Sequence, residues 1–104
     1  MDTFNSRIRS EDIDYLFETI LTLKNVDECY RFFEDLCTIN EIQSMAQRMQ
    51  VAKMLKKRKT YIDIAHTTGA STATISRVNR SLSYGNEGYR LVFERLQDKH
   101  QSEE

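Results

Sequence analysis

The residues best suited to chemistry lie between positions 60 and 81, in the stretch TYIDIAHTTGASTATISRVNRS. Thr72, Thr74, Ser76, Arg77 and Arg80 fall on one side of a helix with Ser71 at its start, and no carboxylate stands among them. Hydroxyls and guanidiniums without a neighbouring base are poor nucleophiles. They are, however, the groups that hydrogen-bond base edges in a DNA major groove, where a bidentate arginine–guanine contact is worth about 1–3 kcal/mol of discrimination. Ser71, Thr72, Thr74, Ser76 and Arg77 are therefore the candidate base readers. Just upstream, Lys56, Lys57, Arg58 and Lys59 form an unbroken basic run, which together with Arg80 suits the flanking phosphates. The run also suits the negative end of a helix dipole, and the two roles are compatible.

Such a surface needs two short helices and a tight turn to present it. Thr60 and Asp63 have the spacing of a capping box and predict a helix over 61–68, with Ile64 and Ala65 facing inward. Gly69 follows, where a helix closing on a left-handed residue is relieved of a Cβ. Residues 70–72 then lead into a second helix over 72–82, with Ser71 or Thr72 as its cap. Ile75 and Val78, three apart, share its buried side. A small residue at 65, glycine at 69 and a branched aliphatic at 75 complete the pattern of a helix-turn-helix, whose second helix enters the major groove. The competing reading is a plain corner between two helices, which would have no need of an acid-free outer face.

Composition agrees with helices throughout. The 104 residues contain no proline and three glycines, and Leu, Ile, Lys, Glu, Gln and Arg are abundant, which argues for an all-α single domain. A chain this short buries a limited core, so broad apolar stripes predict a dimer. Net charge is −1, but its distribution is uneven: residues 1–52 carry −5, residues 53–80 carry +6 and residues 81–104 carry −2. The positive charge is concentrated on and just before the helix pair, as expected for the footprint of a DNA backbone. No apolar run approaches the roughly 20 residues of a membrane span, and no signal peptide is evident. Cys29 and Cys37, eight apart in one predicted helix, read as free buried thiols in a reducing, cytoplasmic setting. His66 and His100 match no zinc spacing, so no metal is expected.

In chain order, residues 1–10 are polar and without periodicity, a flexible arm. A first helix over 11–24, capped by Ser10, carries Ile13, Leu16, Phe17, Ile20 and Leu21. A second, running from a start signal at 25–28 to about 37, carries Val26, Cys29, Tyr30, Phe33, Leu36 and Cys37. Thr38 and Glu41 open a long third helix over 39–58 with Ile42, Met45, Met49, Ala52 and Leu55 inward. Residues 11–59 are read as the dimerisation helices, 60–82 as the helix-turn-helix, 83–88 as a loop and 87–99 as a closing helix with Tyr89, Val92, Phe93 and Leu96.

From Tyr30 to Leu96 the order of elements resembles the Trp-repressor superfamily, most closely its YerC/YecD-like subgroup. The residues carrying the likeness are Thr38-x-x-Glu41, Gln47-Arg48, the run Gly69-Ala70-Ser71-Thr72-Ala73-Thr74-Ile75-Ser76-Arg77, and Asn79-x-Ser81-Leu82. The resemblance implies an all-α, six-helix fold in an intertwined homodimer, one reading head per subunit meeting a palindromic operator. It also implies an effector pocket at Thr38, Arg48, Arg77 and Ser81. Val78 stands where tryptophan-binding members keep a small residue, and Asp35 and Cys37 replace leucines at the pocket mouth. The resemblance thus implies either a corepressor other than tryptophan or DNA binding with none.

The reading that follows is a cytoplasmic, sequence-specific regulator of transcription, a repressor binding double-stranded DNA as a homodimer, without a cofactor. The alternative is a helical dimeric protein-interaction module with no direct DNA readout. An enzyme is not expected, because no nucleophile–base pairing, metal spacing or phosphate loop is present.

Overall fold

The computed structural model describes residues 4–103, with the side chains of 98 and 100–103 set aside. The fold is all-α, with six helices in the order α1 (Glu11–Ile20), α2 (Val26–Leu36), α3 (Ile39–Lys56), α4 (Tyr61–Thr68), α5 (Thr72–Tyr84) and α6 (Gly88–Glu103). Two compact units divide the chain, residues 1–39 and 40–104.

In the first unit, Ser10 caps α1 by accepting from the Ile13 amide at 3.1 Å, and Glu11, Asp12 and Asp14 complement the positive end of its dipole. The helix stops at Ile20, four residues short of the sequence expectation. Here the chain tightens: Thr22 and Leu23 donate their amides three residues back, to Thr19 and Ile20, and the Thr22 hydroxyl also binds the Thr19 carbonyl at 2.7 Å. The restart is a reciprocal cap. Asn25 accepts from the Glu28 amide at 2.9 Å while the Glu28 carboxylate accepts from the Lys24 amide at 2.9 Å. Phe32 and Phe33 meet edge to face, 5.6 Å between centroids. Neither α1 nor α2 contains a buried residue. Tyr15, Leu21, Val26 and Tyr30 are each more than 60% exposed. The thiols of Cys29 and Cys37 are free and half-buried.

The core lies in the second unit. Val51 and Ala52 of α3, Ile64 of α4, Ala70 of the turn, and Ile75 and Val78 of α5 are buried together. Met54, Leu55, Ala65, Leu82, Tyr89 and Phe93 pack against them. The α3 side chains that reach the core are those of its last two turns, including Val51 and Met54, whereas Met45, on the expected inner stripe, is exposed. Burying one such side chain fully contributes about 1.5–3 kcal/mol, so this small set carries much of the unit's stability.

The helix ends show how the backbone is turned. After Lys56 the chain closes in a Schellman arrangement: the Lys59 amide donates to Met54 at 3.1 Å, and the Arg58 amide to Leu55 at 2.9 Å. The left-handed residue that this motif requires is Arg58, at φ 60°. Helix α5 runs to Tyr84, two residues past its expected end, because Gly85 does not take a left-handed conformation there. Its φ is −84°, and its amide continues the ladder to the Ser81 carbonyl at 2.9 Å. A Cβ at Gly85 would run into that same Ser81 carbonyl, which explains the glycine by close approach. The positive φ in this connection falls on Glu87, at 63°. Arg90 pairs with Glu94 and Glu87 along α6, which continues past its expected end at 99 to Glu103.

Candidate nucleic-acid interface

Helices α4 and α5 are set by caps that follow from the sequence. The Thr60 hydroxyl accepts from the Asp63 amide at 3.1 Å to start α4. Gly69 ends it at φ 73°, ψ 5°, its amide reaching the Ala65 carbonyl at 2.9 Å. Between the helices Thr68 ties the turn together: its hydroxyl donates to the Ile64 carbonyl at 2.7 Å and accepts from the Ala70 amide at 3.1 Å. Gln47 of α3 adds its side-chain amide to the Thr68 carbonyl at 3.1 Å. Ser71 then caps α5 by accepting from the Thr74 amide at 3.1 Å.

Burial sorts the α5 side chains. Ile75 and Val78 are almost completely enclosed, and Leu82 one turn on is half-buried. The opposite side is solvent-facing: Ala73, Ser76, Arg77 and Arg80, spaced 3, 1 and 3 apart, form a continuous outer ridge with Thr72 and Asn79 beside it. No acidic residue lies in α5. Of the five candidate readers, Thr72, Ser76 and Arg77 are exposed, and their side chains make no hydrogen bond or ion pair among the described residues. Ser71 and Thr74 differ. The Ser71 hydroxyl donates to the Thr74 hydroxyl at 3.1 Å, and Thr74 is half-buried on the inner shoulder of the helix. Their hydroxyls are engaged in starting α5. Ala73, which carries no polar group, is not among the expected readers. The signal for it is its register with Ser76, Arg77 and Arg80, and its methyl is the kind of group that meets a thymine methyl.

The basic run is also sorted. Lys56, Lys57, Arg58 and Lys59 are all exposed, as is Arg80. Among the described residues none of these five, nor Arg77, pairs with a carboxylate. Lys56 is turned toward α6, its Nζ lying 5.0 Å from the centroid of the Phe93 ring, a cation–π contact. Lys57, Arg58 and Lys59 are left as the unpartnered cations, placed by the sharp turn at Arg58. Exposed, unpaired cations can neutralise phosphates, and exposed polar side chains on an acid-free helix face can reach base edges.

The expected effector residues are less gathered. Arg48, Arg77 and Ser81 are exposed, and Thr38 belongs to the first unit. Ser81 lines an open groove of about 420 Å³ with Met49, Gly85, Asn86, Gly88, Tyr89 and Val92, and neither Arg48 nor Arg77 is part of its wall. Val78 is 2% exposed and belongs to the core.

Among the described residues, no helix is long and apolar enough to cross a membrane. A six-helix, all-α chain with a capped helix pair, the second helix of which has an acid-free outer face, has the form of a helix-turn-helix protein. Comparison with known proteins specifies which kind. The family profile described as Trp repressor protein matches residues 11–97. An uncharacterized protein of Bacillus subtilis, YerC, is 56% identical over 92 residues, covering 88% of each chain. Two solved structures share the fold. A TrpR-like protein from Eubacterium eligens has a TM-score of 0.85 at 62% identity, covering 89% of this chain and 96% of the other. A Trp repressor candidate from Staphylococcus aureus has a TM-score of 0.84 at 56% identity, covering 88% and 91%. The chain belongs to the Trp repressor family.

Proposed function

We propose that the protein is a sequence-specific DNA-binding regulator of transcription, a repressor that acts by occupying a palindromic operator as a homodimer. The observation that carries this is the outer ridge of α5: Ala73, Ser76, Arg77 and Arg80 face solvent on a helix without an acid, and Lys57, Arg58 and Lys59 are exposed and pair with no carboxylate among the described residues. Arg77 is the principal base reader, with Thr72 and Ser76 beside it and Ser71 and Thr74 at the helix start. Lys57, Arg58, Lys59 and Arg80 hold phosphates, with Lys56 nearest the protein.

Dimerisation is supported by the first unit, where α1 and α2 leave Tyr15, Leu21, Val26 and Tyr30 exposed and bury no side chain. Apolar surface of this extent is usually covered by a partner. Membership in the Trp repressor family supports a second copy as that partner. Two heads would then stand about 34 Å apart, one turn of B-DNA. The resemblance puts Val78 where tryptophan-binding members keep a small residue, and its side chain is 2% exposed within the core, which supports a corepressor other than tryptophan or none.

Selection from random duplexes, followed by binding isotherms at several salt concentrations, tests this reading. The expected outcome is a two-fold symmetric consensus. If six or more phosphates are neutralised per dimer, affinity falls on the order of a thousandfold between 50 and 200 mM salt. Absence of an enriched sequence, or an isotherm flat with salt, would overturn it.

A further inference from the structure

We infer that Gln47 is a positioning residue that holds the turn of the helix-turn-helix, and through it the N-terminal half of α5, in its reading orientation. The inference rests on the reading of α5 as the DNA-facing helix. Four of the turn's hydrogen bonds are local: Gly69 to Ala65, Thr68 to Ile64, Ala70 to Thr68, and Thr74 to Ser71 each span four residues or fewer. These shape the turn but do not say how it sits on α3. The core contact of Val51 and Ala52 with Ile64 and Ile75 brings the elements together, yet apolar packing is non-directional. The bond from Gln47 Nε2 to the Thr68 carbonyl is directional, and it spans 21 positions.

Its placement matters as much as its length. Thr68 is the last residue of α4, and its carbonyl has no amide of α4 left to accept from. The same residue's hydroxyl receives the Ala70 amide, and Ser71 next in the chain is the cap of α5. A chain of contacts therefore runs from the long helix through Gln47, Thr68 and Ala70 to Ser71, the N-cap of the reading helix. Both Gln47 and Thr68 are half-buried, in an open groove that Gln43, Ala46, Gln50 and Thr67 also line without a charge. Because that groove is open, water can replace a lost donor, and removing Gln47 loosens the turn without collapsing the core.

The test compares the intact protein with Gln47→Leu, which keeps the size and deletes the donor, and Gln47→Glu, which puts acceptor against acceptor. Three readouts are taken: thermal unfolding, hydrogen exchange at the amides of Gly69, Ala70 and Ser71, and affinity for a selected duplex across salt. The expected result for both variants is a Tm much closer to wild type than that of Ile64→Ala and faster exchange confined to the turn. For Gln47→Leu, duplex affinity falls about fivefold, the worth of one net hydrogen bond, with the salt slope unchanged because no charge is altered. Unchanged exchange at the turn overturns the inference. So does unchanged affinity, or an affinity loss that tracks global unfolding. If the wild-type chain binds no duplex the proposed function falls, and the exchange measurement alone still decides whether Gln47 orders the turn.

Discussion

Replacing Arg58 with glycine should make the protein more stable and a weaker DNA binder at once. Arg58 occupies φ 60° in the Schellman turn after α3, a position that glycine takes without a Cβ penalty. A left-handed L-residue costs about 1–2 kcal/mol, and glycine gives back roughly 0.5–1 kcal/mol through the greater freedom of its unfolded chain. The net gain is about 0.5–1 kcal/mol, or a rise of about 2–8 °C in Tm for a domain of this size. The turn's own bonds, Lys59 to Met54 and Arg58 to Leu55, run between backbone atoms and survive the substitution. Arg58 is exposed and makes no ion pair among the described residues, so no compensating contact is lost. If its guanidinium meets a phosphate, losing one charge per subunit flattens the dimer's salt slope by about 2. Calorimetry at a fixed protomer concentration and anisotropy titrations at four salt concentrations measure the two effects. Arg58→Ala is the control, since it removes the charge while retaining the left-handed strain. A glycine variant that melts no higher than wild type would refute the backbone argument. An unchanged salt slope would remove Arg58 from the phosphate contacts.

Two further substitutions probe the scaffold. Ile64→Ala opens a hole in a core of six buried residues and should cost about 2–5 kcal/mol, seen as a large fall in Tm. Gly85→Ala drives a methyl against the Ser81 carbonyl, and the backbone must shift to relieve it, at a cost of about 1–3 kcal/mol in chemical denaturation. A Gly85→Ala protein as stable as wild type would show that the connection between α5 and α6 yields freely.

What the sequence disclosed followed the range of the interaction. The caps at Ser10, Asn25, Thr60 and Ser71 and the left-handed Gly69 are rules between residues at most four apart, and α4 begins and ends where those rules put it. Helix ends without such a signal were misjudged. Nothing near Arg58 resembles a glycine cap, yet the turn takes an arginine there, and threonine hydroxyls end α1 early. Gly85 looked like part of a loop because glycine usually signals a break, whereas here it tolerates a close backbone approach inside a continuing ladder. In α3, apolar residues occupy two sides: periodicity placed Ala52 and Leu55 correctly in the core, but it put the exposed Met45 inward and passed over Val51 and Met54. The outer ridge of α5 was largely legible, since the positions of Ile75 and Val78 imply the opposite face. Thr74 and Ala73 were not, because hydrogen-bonding potential is a poor guide to which side of a helix a residue occupies. The bond from Gln47 to Thr68 joins residues that no local pattern connects.

The most direct test is Arg77→Ala, measured as the ratio of affinities for the selected duplex and for a scrambled one of equal length at constant salt. A guanidinium that reads guanine predicts a ratio lowered by about 1–3 kcal/mol per half-site, with binding to the scrambled duplex much less affected. A variant that keeps the wild-type ratio, or that loses both duplexes equally, would contradict the assignment of α5 as the reading helix.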